Sequence, residues 1–166
     1  MKIAISYPPI VNEYGQKAMV SQNRNVQFFK EPTYLLPVTY AQAATYLNKM
    51  GYSVYWDDGN AQLKTFDEWL DDLTKESPDV VVLESTTPVM KFYWDTVDRI
   101  KQELPSSIVI MTGYHSMRKP EETMKMCNAD MVLRSSNVDF ALHRLIPFIA
   151  ENDNWRSDYQ GDGMLI

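Results

Sequence analysis

The sequence holds a single cysteine, Cys127, in 166 residues. An internal disulfide, a cysteine-based zinc site and an iron–sulfur cluster carried by this chain alone are thereby excluded. No stretch of about 18 apolar residues occurs, so no segment reads as a membrane-spanning helix. Positive charge is also short: 16 basic residues face 22 acidic ones, for a net charge of −6. A chain with that balance has no basic stripe with which to neutralise nucleic-acid phosphates. Internal repeats and low-complexity segments are absent. Met1-Lys-Ile-Ala-Ile5 enters a strand directly with no secretory signal before it, which sets the expectation of a cytoplasmic protein.

What is present centres on Asp79-Val-Val-Val-Leu-Glu-Ser-Thr-Thr-Pro88. Val80 to Leu83 is an unbroken apolar run, the pattern of a strand covered on both faces in a parallel sheet. The run then switches to Glu84, Ser85, Thr86 and Thr87. Ligands of open parallel sheets sit at the carboxyl ends of strands, so small hydroxyl residues at this point suit a polar ligand. The competing reading is that they cap the helix that follows.

Alternating strand and helix patterns extend through the rest of the chain. Lys2 to Ser6 is a first strand, stopped by Tyr7-Pro8-Pro9. Residues 10–30 show no clear period and read as a long loop, a kind that is usually functional or mobile. Pro37 opens a helix that buries Tyr40, Ala43, Ala44 and Leu47 and stops at Gly51. Ser53 to Trp56 is a second strand, closed by Asp57-Asp58-Gly59. Thr65 and Glu68 form a capping box ahead of Phe66, Trp69, Leu70 and Leu73. After the central strand come a helix from Lys91 to Leu104, a strand from Ser107 to Met111, and a short helix opening at Pro120-Glu-Glu122. Ala129 to Leu133 is the fifth strand, and Asp139 to Ile149 a last helix that Pro147 frays or kinks. Five strand–helix units predict one α/β domain over 1–150, a flavodoxin-like (Rossmann-like) three-layer sandwich. Its parallel sheet of five strands takes the order 2-1-3-4-5. The polar segment 151–166 reads as a linker without a core of its own.

Residue types at the strand ends test the ligands such a fold carries. A phospho-receiver needs acids after the first strand, an acceptor Asp after the third and a Lys after the fifth; here stand Tyr7-Pro8-Pro9, Glu84-Ser85 and Arg134. A flavodoxin phosphate loop would need N–H groups that the two prolines lack. The Gly-x-Gly-x-x-Gly of a dinucleotide site is absent. There remain the ends of strands three, four and five, with the hydroxyls of Ser85, Thr86 and Thr87, the backbone access of Gly113, and Tyr114 and His115 at the border.

Taken in order, several pieces resemble the N-terminal cobalamin-binding domain of B12-dependent radical SAM enzymes. They are Tyr7-Pro8-Pro9, Leu36-Pro37, Gly51-Tyr-Ser-Val-Tyr-Trp-Asp57, Pro78-Asp79-Val80-Val81, Thr112-Gly113-Tyr114-His115 and Pro120-Glu121-Glu122. The resemblance covers Lys2 to Ile149. Within the class, Glu84-Ser-Thr-Thr-Pro88 resembles the Glu-Thr-Thr-Thr-Pro run of enzymes related to the anaerobic magnesium-protoporphyrin IX monomethyl ester oxidative cyclase. Two positions depart from the pattern: Thr112 replaces a glycine, and Ser135-Ser136 replace Gly-Glu. The Asp-x-His-x-x-Gly motif of methyltransferase-type B12 domains is missing, which implies no protein histidine on cobalt from that loop.

The resemblance implies cobalamin contacts from Tyr7, Pro8, Pro9, Leu36, Ser85, Thr86, Thr87, Thr112, Gly113, Tyr114, His115, Arg134 and Ser135, with no catalytic residue and no metal ligand. It also implies a partner radical SAM domain beyond residue 166, carrying a 4Fe-4S cluster on a Cys-x-x-x-Cys-x-x-Cys motif and using S-adenosylmethionine. Each residue has a plainer reading. Gly113 serves a tight turn as readily as a ligand, His115 serves loop packing, His143 is a surface or packing residue, and Cys127 is a small buried hydrophobe. Asp57-Asp58 reads as a solvated turn. The aromatics and methionines of 14–34 are a lid over a planar ring, ordinary core or a dimer contact. A flavodoxin-like interaction domain that has lost its ligand is the alternative to the cofactor module.

Overall fold

The computed structural model describes residues 1–20, 26–29, 35–159, 161 and 164–165. β1 (Lys2–Tyr7) is followed by a hairpin of β2 (Lys17–Val20) and β3 (Val26–Phe29). α1 (Val38–Lys49), β4 (Ser53–Asp58), α2 (Phe66–Glu76) and β5 (Val80–Ser85) come next. A 3-10 turn, Thr87–Val89, leads into α3 (Met90–Glu103), then β6 (Ile108–Gly113), α4 (Tyr114–Arg118), α5 (Pro120–Met126) and β7 (Met131–Leu133). The chain closes with α6 (Val138–Glu151), α7 (Trp155–Asp158) and β8 (Met164–Leu165).

The main sheet runs β4-β1-β5-β6-β7-β8, with the first five strands parallel and β8 antiparallel at the edge. Numbered among themselves, the parallel strands stand in the expected order 2-1-3-4-5. The edge strand β8 and the hairpin β2–β3 were not expected. Hairpin strands of four residues, Lys-Ala-Met-Val and Val-Gln-Phe-Phe, are too short and too irregular in polarity to show a period of two.

Strand alternation divides the core into two layers. Ile3, Ile5, Tyr7, Val80, Val82, Ile110 and Leu133 face α1 and α6, where Ala43, Leu47, Leu142 and Ile146 meet them. Ala4, Val81, Leu83, Val109, Met111 and Val132 face α2 and α3, with Trp69, Leu73, Tyr93 and Ile100. Ile10 and Ala18 join this second layer, so the hairpin docks on the α2–α3 side.

Local signals set the helix ends. Thr65 caps α2 with the reciprocal Glu68 bond. Gly51, at φ +93°, ends α1. Pro147 does not break α6, which continues to Glu151. The segment after it is less bare than its polarity suggests. Trp155 is buried against the α6 layer, Tyr159 stacks edge-on against Phe148, and Arg156 bonds Asp130 at 2.7 Å.

Asp57 and Asp58 do not form the expected solvated turn. Both are buried at the end of β4. Asp57 is paired with Lys64 at 2.8 Å, and Asp58 accepts the Ala61 N–H at 3.0 Å. Among the described residues no group of three metal-ligating side chains comes together, and no helix is long and apolar enough to cross a membrane.

Candidate functional site

The carboxyl ends of β5 and β6 meet the first turns of α1 and α6 in a cleft of about 60 Å³. Thr39, Tyr40, Glu84, Gly113, Met117, Ser135, Ser136 and Val138 line it. Alternation dictates which side chains face this way. Glu84 continues the row Val80, Val82 on the α1–α6 face, and Thr112 continues the row from Ile110. Ser85 and Gly113 fall on the opposite row.

Glu84 is 7% exposed, and its Oε2 accepts a hydrogen bond from the Tyr7 hydroxyl at 2.7 Å. Burial, and then the nearby Glu84 charge, push the Tyr7 phenol well above the ordinary value of 10.0. Tyr7 is held in place by an edge-on contact with Tyr40, centroids 6.0 Å apart, and a tilted one with Trp56 at 5.8 Å.

Beside this pair, the Thr112 hydroxyl donates to the Leu83 carbonyl at 3.0 Å. A hydroxyl has one proton, so the 2.6 Å contact between Tyr40 and Thr112 is a bond that Tyr40 donates. By the same count, Ser85 donates to the Thr112 carbonyl at 2.7 Å, and Ser116 donates to Ser85 at 2.7 Å. Ser85 and Thr112 are 1% and 0% exposed. Their hydroxyls lock β5, β6 and α4 together rather than facing the cleft.

The residues singled out from the sequence therefore separate. Gly113 and Ser135 line the cleft. Tyr7 and Thr112 sit directly behind it, orienting Glu84 and Tyr40. Thr86 is buried at the head of the 3-10 turn without a side-chain cap bond, so simple helix capping does not account for it. Thr87 is exposed and lies 3.2 Å from His115 Nδ1. His115 turns toward α3 and α5, where its ring meets Trp94 edge-on at 6.1 Å and Nε2 lies 3.9 Å from Glu122. That Nε2 is buried without a hydrogen-bond partner, and burial lowers the imidazole pKa. Tyr114 is exposed under the Arg118 guanidinium. Pro8 and Pro9 are buried against the turn after β4, the Pro8 carbonyl accepting from Asn60 at 3.0 Å. Leu36 belongs to a separate open groove of about 410 Å³ between α1 and β4, with Val54 and Trp56. Arg134 is exposed.

Gly113 has a structural reason for being glycine. Its φ is +91°, and a Cβ there would run into the Ser85 backbone. Tyr40, Glu84 and Ser136 were absent from the sequence-derived site. Alternation from Val82 to Glu84 was the signal that would have placed the carboxylate on the α1–α6 face. The reading of 14–34 as a lid falls partly outside the described residues, Tyr34 among them; within them, Tyr14 is 78% and Phe28 39% exposed.

No protein-family model and no curated protein matches the sequence. Among solved structures, the fold is shared with TsrM, a radical S-adenosylmethionine methyltransferase from Kitasatospora setae, in a structure with cobalamin and a [4Fe-4S] cluster bound. The TM-score is 0.65 at 14% identity, over 90% of this chain and 26% of that one. A second TsrM structure, with tryptophan substrate and the SAM analogue aza-SAM bound, matches with the same values. The chain thus spans about a quarter of the length of these proteins.

Proposed function

We propose that the chain is a cobalamin-binding module that holds the corrinoid across the carboxyl rim of its sheet. The observation that carries this reading is the fold-level match over 90% of the chain to an enzyme whose structure has cobalamin bound. The residue pattern around Tyr7-Pro8-Pro9 and Thr112-Gly113-Tyr114-His115 supports it independently.

The fit of the cofactor to this rim is a matter of size and donor chemistry. A cleft of about 60 Å³ admits one peripheral group of the corrinoid and not the ring. The macrocycle would lie outside, over the rim. A corrin edge carries neutral carboxamides, which suit a cleft bordered by the Glu84 carboxylate and the Ser135 and Ser136 hydroxyls. His115, turned toward Trp94 and Glu122, offers no axial ligand from the cleft side. Cobalamin would supply the organometallic chemistry; this chain's residues hold it and keep water from one face.

The full protein in this reading joins residues 1–150 through 151–166 to a radical SAM domain with a 4Fe-4S cluster and S-adenosylmethionine. The Glu84-Ser-Thr-Thr-Pro88 run favours the oxidative cyclase type within that class, and hence an oxidoreductase of tetrapyrrole biosynthesis. It would work in the cytoplasm.

One observation favours the competing reading, an interaction domain that has lost its ligand: the Ser85 and Thr112 hydroxyls are engaged internally. Titrating the purified chain with hydroxocobalamin and following the corrin absorbance separates the two. A saturable shift is expected of a cofactor module, and a spectrum that only sums its components is expected of an interaction domain.

A further inference from the structure

At the rim, one exposed hydroxyl is tied to two deeper side chains. Thr87 opens the 3-10 turn after β5, and its Oγ1 lies 3.2 Å from Nδ1 of His115, near the start of α4. On the other side of the ring, Nε2 lies 3.9 Å from Glu122 Oε2, on α5. His115 is 6% exposed, and its Nε2 is buried with no hydrogen-bond partner. Burial lowers the imidazole pKa, so the ring is neutral at neutral pH and carries one proton. One ring nitrogen then donates and the other accepts.

The surroundings of Nε2 decide which. Glu122 is paired with Lys119, whose Nζ is 3.1 Å from the same Oε2, so the ring faces a carboxylate whose charge is partly offset. An N–H on Nε2 turns its positive end to that carboxylate. A bare lone pair there would face negative charge where little water screens it. Trp94 does not change this balance. Its ring meets the imidazole edge-on at 6.1 Å, yet its buried indole N–H makes no bond, so no donor reaches Nε2 to offset a lone pair. The proton therefore belongs on Nε2, and Nδ1 accepts the Thr87 O–H. A hydroxyl has a single proton. With that proton given to His115, Thr87 turns only oxygen lone pairs outward. Each link polarises the next, which makes this oxygen a better acceptor.

We infer that Thr87 is a specificity-determining residue of the rim: Glu122, acting through His115, fixes its hydroxyl as a hydrogen-bond acceptor, so the rim takes a donor group of its ligand at this point. Thr87 touches the ligand; His115 and Glu122 are positioning residues. The acceptor sense is read from these three side chains, while the identity of the ligand rests on the cobalamin reading above. Two parts of cobalamin offer such a donor, the carboxamide arms of the corrin and the ribose hydroxyl of the nucleotide tail.

Three measurements test this. The first reads the tautomer. His143→Gln, at an exposed position, leaves His115 as the single histidine, and long-range proton–nitrogen NMR correlation then shows which ring nitrogen is protonated. The proton should be on Nε2, and should move toward Nδ1 when Glu122→Lys puts a cation in place of the carboxylate. A proton on Nδ1 with Glu122 present, or a tautomer indifferent to Glu122→Lys, overturns the inference. The second measures corrinoid affinity. Thr87→Val keeps the shape of an exposed side chain and removes its oxygen, whereas Thr87→Ser keeps the hydroxyl. Hydroxocobalamin should bind at least about tenfold more weakly to the Val variant, and nearly as well as wild type to the Ser variant. A matching loss for dicyanocobinamide, which keeps amide arms and lacks the nucleotide, identifies an amide arm as the donor. A loss confined to hydroxocobalamin identifies the ribose hydroxyl. Unchanged affinity for both corrinoids in Thr87→Val overturns the inference. The third needs no corrinoid. The Thr87 backbone amide is followed by NMR during titration with acetamide and with N,N-dimethylacetamide, which has the same carbonyl and no N–H. Acetamide should shift it saturably and the dimethyl compound should not; equal shifts overturn the inference. If the tautomer and the acetamide shifts come out as expected while wild-type chain ignores hydroxocobalamin, the cofactor reading fails and the acceptor assignment stands.

Discussion

The phenol of Tyr7, at the end of β1, donates to the carboxylate of Glu84, at the end of β5, over 2.7 Å. The two strands are neighbours, and their register runs through Ser6 opposite Leu83, so the bond ties adjacent strand tips. It fixes a buried carboxyl group where the first turns of α1 and α6 border the cleft.

Removing the donor takes one hydrogen bond from that buried carboxylate. Tyr7→Phe should lower unfolding stability by about 1–3 kcal/mol, measured by urea denaturation. A loss within error would mean that the pair contributes nothing net.

The same burial sets an alkaline limit. Tyr7 and Tyr93 both have pKa values raised above 10.0, Tyr7 by burial and then Glu84, and Tyr93 by burial and then Glu84 and Asp58. The folded state keeps these protons where the unfolded chain releases them. Their contribution is therefore complete below pH 10 and is lost as the pH climbs beyond it. Absorbance titration of the tyrosinates should show part of the 10 tyrosines ionising only as the chain unfolds. Full ionisation of a still-folded chain would contradict this.

His115 sets a limit on the acid side. Burial lowers its pKa below 6.5, with Glu122 opposing the shift. The unfolded chain takes up a proton first as the pH falls, so the histidine's contribution to stability is present above pH 6.5 and lost below it. His115→Asn should flatten the slope of stability against pH just below 6.5. An unchanged slope would assign the acid sensitivity to other groups.

Two glycines with nearly equal φ separate backbone strain from crowding. Gly51 is at +93°, and a methyl group added there would have nothing within 4 Å, whereas at Gly113, at +91°, it would meet the Ser85 backbone. Gly51→Ala should cost about 1 kcal/mol, and Gly113→Ala about 3 kcal/mol or more, by chemical denaturation. Equal costs would show that the β5–β6 tips yield without penalty.

Cys127 is 8% exposed, and burial pushes its thiol up to about 11. It should react with a disulfide reagent such as DTNB only as fast as the chain opens. Rapid reaction in native buffer would contradict that burial.

The sheet was legible because Val80 to Leu83 and its neighbours are short, β-branched apolar runs set between helical patterns and turn residues. The caps were legible because Thr65 and Glu68 sit three apart. The site was less so, because the sequence shows which side chains are polar and not which way each one points. Ser85 and Thr112 read as ligand hydroxyls, yet their protons go to the carbonyls of Thr112 and Leu83. Glu84, one residue from Ser85, turns the other way and lines the cleft. His115 reads as a border residue of the rim, and tertiary packing turns it to Trp94. The hairpin β2–β3 stayed hidden because its short strands lack an alternating pattern.

The most direct test of the account is an absorbance titration of the chain with hydroxocobalamin, run beside Ser136→Trp. Ser136 is exposed at the mouth of the cleft, so the bulky ring blocks the rim without disturbing the core. A saturable corrin shift with wild-type chain, lost or at least about tenfold weaker in the variant, is the predicted result. No shift with wild-type chain, or the same shift with both, would contradict a corrinoid held at this rim.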